Sequence, residues 1–209
     1  MGNIRNLVFD IGNVIIDIDY AATVAEFQKL SSINFSEIVS YSKQHQIFDL
    51  FEIGKISPKQ FRDELKKFLN PGVTDTEIDY AWNAILVHYP PQKIELLKHL
   101  KKQYPTFALS NINEIHIASI DKVAREQFDA QYFSDFFHAA YYSNEVGCRK
   151  PERDIYEYLL QHQNIKPEET LFIDDKAENV EAARVLGIQA YQLTKPDNLH
   201  KLLNELSII

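Results

Sequence analysis

The chain has 209 residues, a formal net charge of −8, 45% hydrophobic and 25% charged side chains. These are the proportions of an ordinary soluble globular protein with a well-filled core. The acidic balance argues against a nucleic-acid-binding face, which is normally basic, and no apolar run approaches the ~18 residues of a bilayer span, so no membrane partner is expected. Asp10 falls where the apolar stretch of a signal peptide would lie, which predicts a cytoplasmic protein. The single cysteine, Cys148, excludes an internal disulfide and zinc-finger spacing, and reads as a packing residue rather than a nucleophile.

Leu7–Phe9 is a short apolar run that predicts a buried strand, with Asp10 directly after it. A carboxylate just beyond the carboxyl end of a buried strand sits where open α/β sheets build their ligand crevices. Such an Asp can attack an electrophile covalently or ligate a metal. From about Tyr20 to His88 the pattern is helical, with no strand evident. One of these helices has a strong start signal, Ser57 as N-cap, Pro58 at the first position and Gln60 to complete a capping box. An all-helical stretch inserted straight after the Asp10 strand predicts a lid over the crevice, able to exclude water and select substrates.

Strand–helix alternation resumes afterwards. Lys93–Tyr104 is an amphipathic helix, Phe107–Leu109 a strand, and Phe137–Tyr142 a candidate fifth strand. Arg153–Gln163 follows Pro151 and Glu152 as a helix, and Leu171–Ile173 is a strand. Glu178–Leu186 is a helix stopped by Gly187, and Ile188–Leu193 is the last strand. The alternation predicts an α/β fold, a doubly wound parallel sheet with helices on both faces.

Three further polar groups fall at the ends of these elements. Ser110-Asn111 ends the second strand, although a turn or N-cap would use the same pair. Asp174-Asp175 ends the Leu171–Ile173 strand. Adjacent carboxylates raise each other's pKa, and a divalent cation would relieve that, though an N-cap for the next helix is the plainer use. Lys150, before Pro151, is either a solvated lysine at a helix entrance or a fixed cation facing the acids.

Taken in order, Asp10, Ser110-Asn111, Lys150 and Asp174-Asp175 resemble the four motifs of the haloacid dehalogenase-like hydrolases, and the resemblance covers essentially the whole chain. It implies a Rossmann-like core over residues 1–18 and 89–209 and a helical cap over 19–88. It also implies the roles. Asp10 would form an aspartyl-phosphate and touch Mg²⁺. Gly12 would lend the metal only its carbonyl, and Asp175, with Asp174 beside it, would be the main acidic ligand. Ser110, the Asn111 amide and Lys150 would hold the phosphoryl group. Phe9-Asp10-Ile11-Gly12-Asn13-Val14, Gly147-Cys148-Arg149-Lys150-Pro151-Glu152 and Phe172-Ile173-Asp174-Asp175 are similar to the branch of α-D-glucose-1-phosphate phosphatases and epoxide hydrolase N-terminal domains. Glu52-Ile53-Gly54-Lys55-Ile56-Ser57 is similar to that branch's cap segment facing the active site.

Gly12 stands where most phosphatases of the superfamily carry a second Asp that protonates the leaving oxygen, assistance worth roughly 10²–10⁴-fold. Three readings follow. The first is a Mg²⁺-dependent phosphatase of a small phosphorylated metabolite, with an easily leaving group such as the anomeric oxygen of α-D-glucose 1-phosphate or with a substitute acid. The second is a non-catalytic module that keeps the fold for binding. The third is a metal-independent 2-haloacid dehalogenase, against which the Asp174-Asp175 pair stands. His45, Phe48, Glu52 and Trp82 are the candidate substrate-facing residues of the cap.

Overall fold

A computed structural model describes residues 4–34 and 46–209. The strands are β1 (Asn6–Phe9), β2 (Asp17–Ile18), β3 (Leu86–His88), β4 (Thr106–Ser110), β5 (Ala139–Tyr142), β6 (Thr170–Asp174) and β7 (Gln189–Gln192). Five of them form one sheet in the order β5-β4-β1-β6-β7, and each pairing in it is parallel. The helices that matter here are α1 (Tyr20–Leu30), α2 (Ile47–Glu52), α3 (Pro58–Lys66), α4 (Asp75–Asn83), α5 (Pro91–Lys101), α6 (Glu114–Gln127), α7 (Ser143–Val146), α8 (Arg153–Gln163), α9 (Ala177–Val185) and α10 (Leu199–Glu205).

The sheet is buried on both faces, which is why its strands read as unbroken apolar runs. Leu7, Phe9, Leu171 and Ile173 point to one side and pack on Ile94 and Leu97 of α5, Ile120 of α6 and Leu203 of α10. Val8, Phe107 and Phe172 point to the other, against Ile155 and Leu159 of α8 and Val180 of α9. This is the doubly wound α/β arrangement. The central strand β1, flanked by β4 and β6, is the one that delivers Asp10.

One element departs from the sequence reading. Leu86–His88 lies in the stretch read as strandless, yet it pairs antiparallel with Asp17–Ile18 as a two-stranded ribbon. Two or three residues are too few for any alternation to register, and their conformation depends on a partner about 70 residues away. Lys93, nearly buried, braces the ribbon through a 3.0 Å ion pair with Asp17. The chain passes through this ribbon on entering and on leaving α1–α4.

Helices α1–α4 have an apolar core of their own. Phe27, Phe48, Phe51, Phe61, Leu65, Ile78 and Ala81 pack together, and Ile115 of α6 joins them. The capping box read at Ser57 and Gln60 is present, and Thr74 with Glu77 forms a second one on α4. Phe61 has no solvent exposure and stacks on Phe51 at 4.2 Å. Phe61→Ala should therefore lower the unfolding free energy by about 3–5 kcal/mol in a urea titration; a loss below about 1 kcal/mol would mean this core is not packed as described.

Candidate active site

The parallel register decides which polar residues meet. Phe9 is level with Ile173 of β6 and Ala108 of β4. Asp10, whose amide donates to the Ile173 carbonyl at 2.9 Å, is therefore carried to the same edge as Asp174. Ser110 ends β4 at that edge. One oxygen from each of Asp10, Asp174 and Asp175 lies within 4.8 Å of the others. Asp10 and Asp174 are buried, whereas Asp175 is partly open.

Lys150 lies between the two buried acids. Its Nζ is 2.9 Å from Asp10 Oδ1 and 2.6 Å from Asp174 Oδ2, with its side chain only 1% exposed. Burial by itself would strip the proton from this ammonium, but the two carboxylates outweigh it and hold the pKa above the ordinary lysine value. Asp10 moves the other way for a carboxyl group. Burial pushes it up to about 6, with the Asp174 charge adding to that and Lys150 pulling back. Lys176 also acts on Asp10 and Asp175, and three carboxylates against two lysines still leave a local excess of negative charge.

Several residues that hold these groups in place were not singled out in the sequence. Asn179 Nδ2 donates to both oxygens of Asp174 at 3.0 Å, and the Lys176 amide donates to Asp174 Oδ1 at 2.8 Å. Asn13, held at a positive φ of 54°, donates through Nδ2 to Asp175 Oδ2 at 3.1 Å and accepts from the Ile18 amide at 3.2 Å. Asn111 makes a reciprocal pair with the Lys150 backbone, donating to its carbonyl at 2.8 Å and accepting from its amide at 2.9 Å. That pair joins the Ser110-Asn111 turn to the lysine turn and so sets one relative to the other. The available signal was positional, since Asn13 and Asn179 follow Asp10 and Asp174 by three and five residues; asparagine after a strand is more often a plain turn residue.

A cavity of about 180 Å³ opens beside this cluster. Gly12, Ser110 and Asn111 form its floor, and Phe48, Glu52 and Trp82 reach it from α2 and α4. Three of the four residues considered for the lid thus face the cavity, while His45 lies outside the described residues. Trp82 stacks between Phe48 at 5.4 Å and His116 at 5.3 Å. Its carbonyl accepts from His116 Nε2 at 3.1 Å and from the Thr23 hydroxyl at 3.2 Å. Asn113 accepts from the Trp82 indole and faces His116 Nδ1 with its amide nitrogen, which assigns the imidazole proton to Nε2. Burial holds His116 down at about 4, so it is a neutral structural histidine. Cys148 is half-buried, and burial together with Glu152 and Asp154 pushes its thiol up, which leaves little thiolate.

The α2 end of the cavity is fastened to α7 and the loop after it. The Ser143 hydroxyl donates to the Glu52 carbonyl at 2.6 Å. Arg149 pairs with Asp49 and, through Nη2, lies 3.1 Å from Glu52 Oε2. Gly54 sits so close to Asn144 that a Cβ there would meet its carbonyl oxygen at 2.1 Å.

Known proteins share this architecture. A D-ribitol-5-phosphate phosphatase of Bacteroides thetaiotaomicron is 30% identical over 206 residues, covering 99% of this chain and 98% of that protein. A crystal structure of a haloacid dehalogenase family enzyme from the same species, in complex with magnesium and inorganic phosphate, superposes with a TM-score of 0.81 at 35% identity, over 91% of this chain and 94% of that one. The structure of a predicted haloacid dehalogenase-like family hydrolase from Porphyromonas gingivalis gives a TM-score of 0.88 at 28% identity over 98% of each chain. The sequence model of the haloacid dehalogenase-like hydrolases matches residues 4–187. Fold, motif order and sequence agree, and the chain belongs to the haloacid dehalogenase-like hydrolases.

Proposed function

We propose that this protein is a Mg²⁺-dependent phosphatase that hydrolyses a small polyhydroxylated phosphate monoester through an aspartyl-phosphate on Asp10. The observation that carries the reading is Lys150 held between Asp10 and Asp174, with Asp175 alongside, next to a cavity lined by the neighbouring Ile11, Gly12, Ser110 and Asn111. In the first half of the reaction an Asp10 oxygen bonds to phosphorus, the ester P–O bond breaks, and its electron pair leaves with the alcohol oxygen. In the second, water attacks phosphorus and frees Asp10 and phosphate. Lys150 neutralises charge on the transferring group and holds Asp10, while Ser110 and the Asn111 amide bind phosphoryl oxygens. Positioning and charge neutralisation are most of what phosphoryl transfer requires.

The donor set suits a hard divalent cation. Three carboxylates have oxygens within 4.8 Å of one another, with Lys150 paired to two of them. Asp10, Asp175 and the Gly12 carbonyl would hold Mg²⁺, with Asp174 beside them. Bound there, Mg²⁺ screens negative charge on the phosphoryl oxygens. Asp174 is the least free of the acids, because Lys150, Asn179 and the Lys176 amide already occupy its oxygens.

For the substrate we favour a sugar or polyol phosphate. A lining that combines the apolar Trp82 and Phe48 with the polar Glu52 and Thr23 suits a chain bearing both C–H and O–H groups, and a relative over nearly its whole length is a D-ribitol-5-phosphate phosphatase. α-D-Glucose 1-phosphate is the second candidate, favoured by Gly12 alone. Phosphate release from both, with D-glucose 6-phosphate alongside, tests the reading. Activity should vanish with a chelator and return with Mg²⁺. Halide release from 2-haloacids without metal would overturn it, and no product from any of these at high enzyme concentration would favour the non-catalytic module.

Metal binding also has a pH signature. Because Asp10 titrates near 6, below that pH a proton competes with the cation for it. The rise in melting temperature produced by Mg²⁺ should be full near pH 8 and shrink as pH falls through about 6. A shift that stays constant from pH 8 to pH 5 would exclude Asp10 as a ligand.

A further inference from the structure

We propose that Glu52, reaching from α2 into the cavity, is the acid and base that Gly12 does not provide. The inference rests on the phosphatase reading above and assigns a catalytic residue to it. At Gly12 itself there is no side chain, and a Cβ there would sit tightly against Ile18 Cδ1, at 3.1 Å. The proton for the leaving oxygen has to come from elsewhere on the cavity wall.

Most of that wall is committed. His116 has both ring nitrogens engaged and is neutral. The Thr23 hydroxyl donates to the Trp82 carbonyl, and the Asn111 side-chain amide is used on the Lys150 backbone. Tyr20 stands at the rim, 55% exposed, and a phenol is a weak acid beside a carboxyl. Glu52 differs from all of these. Its Oε2 is shut off from solvent with no aligned hydrogen-bond donor, although Arg149 Nη2 is 3.1 Å away. Its backbone is fixed by Ser143, and the following turn is fixed by the close approach of Gly54 to Asn144. Arg149 takes Oε2, and the carboxyl group is thus held at the cavity wall from a rigid support. Burial, aided by Asp49, pushes its pKa up against the pull of Arg149, Lys176 and Lys150, and that direction is the one a general acid needs at the start.

The steps balance. As Asp10 bonds to phosphorus and the ester bond breaks, the departing oxygen takes the Glu52 proton and leaves as the neutral alcohol. The Glu52 carboxylate then takes a proton from the attacking water as the P–O bond to Asp10 breaks. Phosphate is released and Glu52 is protonated again.

The test compares p-nitrophenyl phosphate with phenyl phosphate in the Mg²⁺-loaded enzyme. The two are alike in shape and differ in how much the leaving oxygen needs a proton. kcat/KM ends at leaving-group departure and so reports the acid role alone. Glu52→Gln should lower it roughly 10²-fold for phenyl phosphate and less than about tenfold for p-nitrophenyl phosphate. The base role appears separately, as a burst of about one equivalent of p-nitrophenolate before a slow steady state. Equal losses on the two esters, or none, would overturn the proposal. Loss of folded protein scales both rates alike, so their ratio remains the readout. If Glu52→Gln does not fold, Glu52→Asp should shift the ratio in the same sense, and an unchanged ratio overturns the proposal equally. Wild-type enzyme that hydrolyses neither ester would instead refute the phosphatase reading.

Discussion

Asp10→Asn is expected to abolish turnover while leaving the fold at least as stable as the wild type. An amide cannot form the acyl phosphate, so the loss should reach at least about 10⁴-fold. Stability responds differently because burial raises the Asp10 pKa from 3.8 to about 6. A carboxyl whose folded pKa is raised favours the fold while protonated and opposes it once ionised. Its penalty therefore grows as pH rises from about 4 through 6 and is complete above that. Asparagine carries no such charge, and Lys150 keeps its 2.6 Å partner Asp174. In metal-free protein at pH 8, Asp10→Asn should melt at or above the wild-type temperature, with the difference narrowing toward pH 4. The Mg²⁺-induced rise in melting temperature should be reduced in the variant. Retained phosphate release would remove Asp10 from the mechanism, and a markedly lower melting temperature would mean the carboxylate is a net stabilising partner of Lys150.

Lys150→Met combines both kinds of damage. It removes the cation between two buried acids, and leaving buried charges unpaired costs about 3–5 kcal/mol. Activity should fall with it, since charge neutralisation at the transferring group is lost. The stability loss has a sign that can be checked. Without Lys150 the ionised form of Asp10 is disfavoured further in the fold, so the deficit should be largest near neutral pH and shrink as Asp10 is protonated in acid. Denaturant titrations at pH 7.5 and pH 4.5 would show it. A deficit independent of pH would point to the lost contact of the Lys150 ammonium with the Phe172 ring, 5.4 Å away, rather than to the unpaired acids.

Much of this was legible in the chain. The strands around Val8, Ala108 and Phe172 stood out because a parallel sheet covered on both faces leaves them no polar side, and the observed ends differ from the expected ones by a residue or two. The helix expected from Lys93 starts two residues earlier because Pro91 serves as its first residue. Asp10, Ser110, Asn111, Lys150, Asp174 and Asp175 could be singled out because each follows or ends a recognisable element. The β3 strand could not, because its conformation comes from a partner distant in sequence.

The same division applies to the site. Local pattern determined the α/β class, the strand ends and which charged residues stand at them, because burial on two faces and turn chemistry act over a few neighbouring residues. Only the tertiary structure decided that Lys150 bridges Asp10 and Asp174, that Asn13 and Asn179 orient the acids, and that Ile18 fills the space beside Gly12. It also brought Glu52 from a helix 42 residues downstream of Asp10 into the same cavity as the Gly12 backbone. Those are distances between segments remote along the chain, fixed by sheet register and by the docking of α2 on Ser143 and Arg149, and no local pattern encodes them.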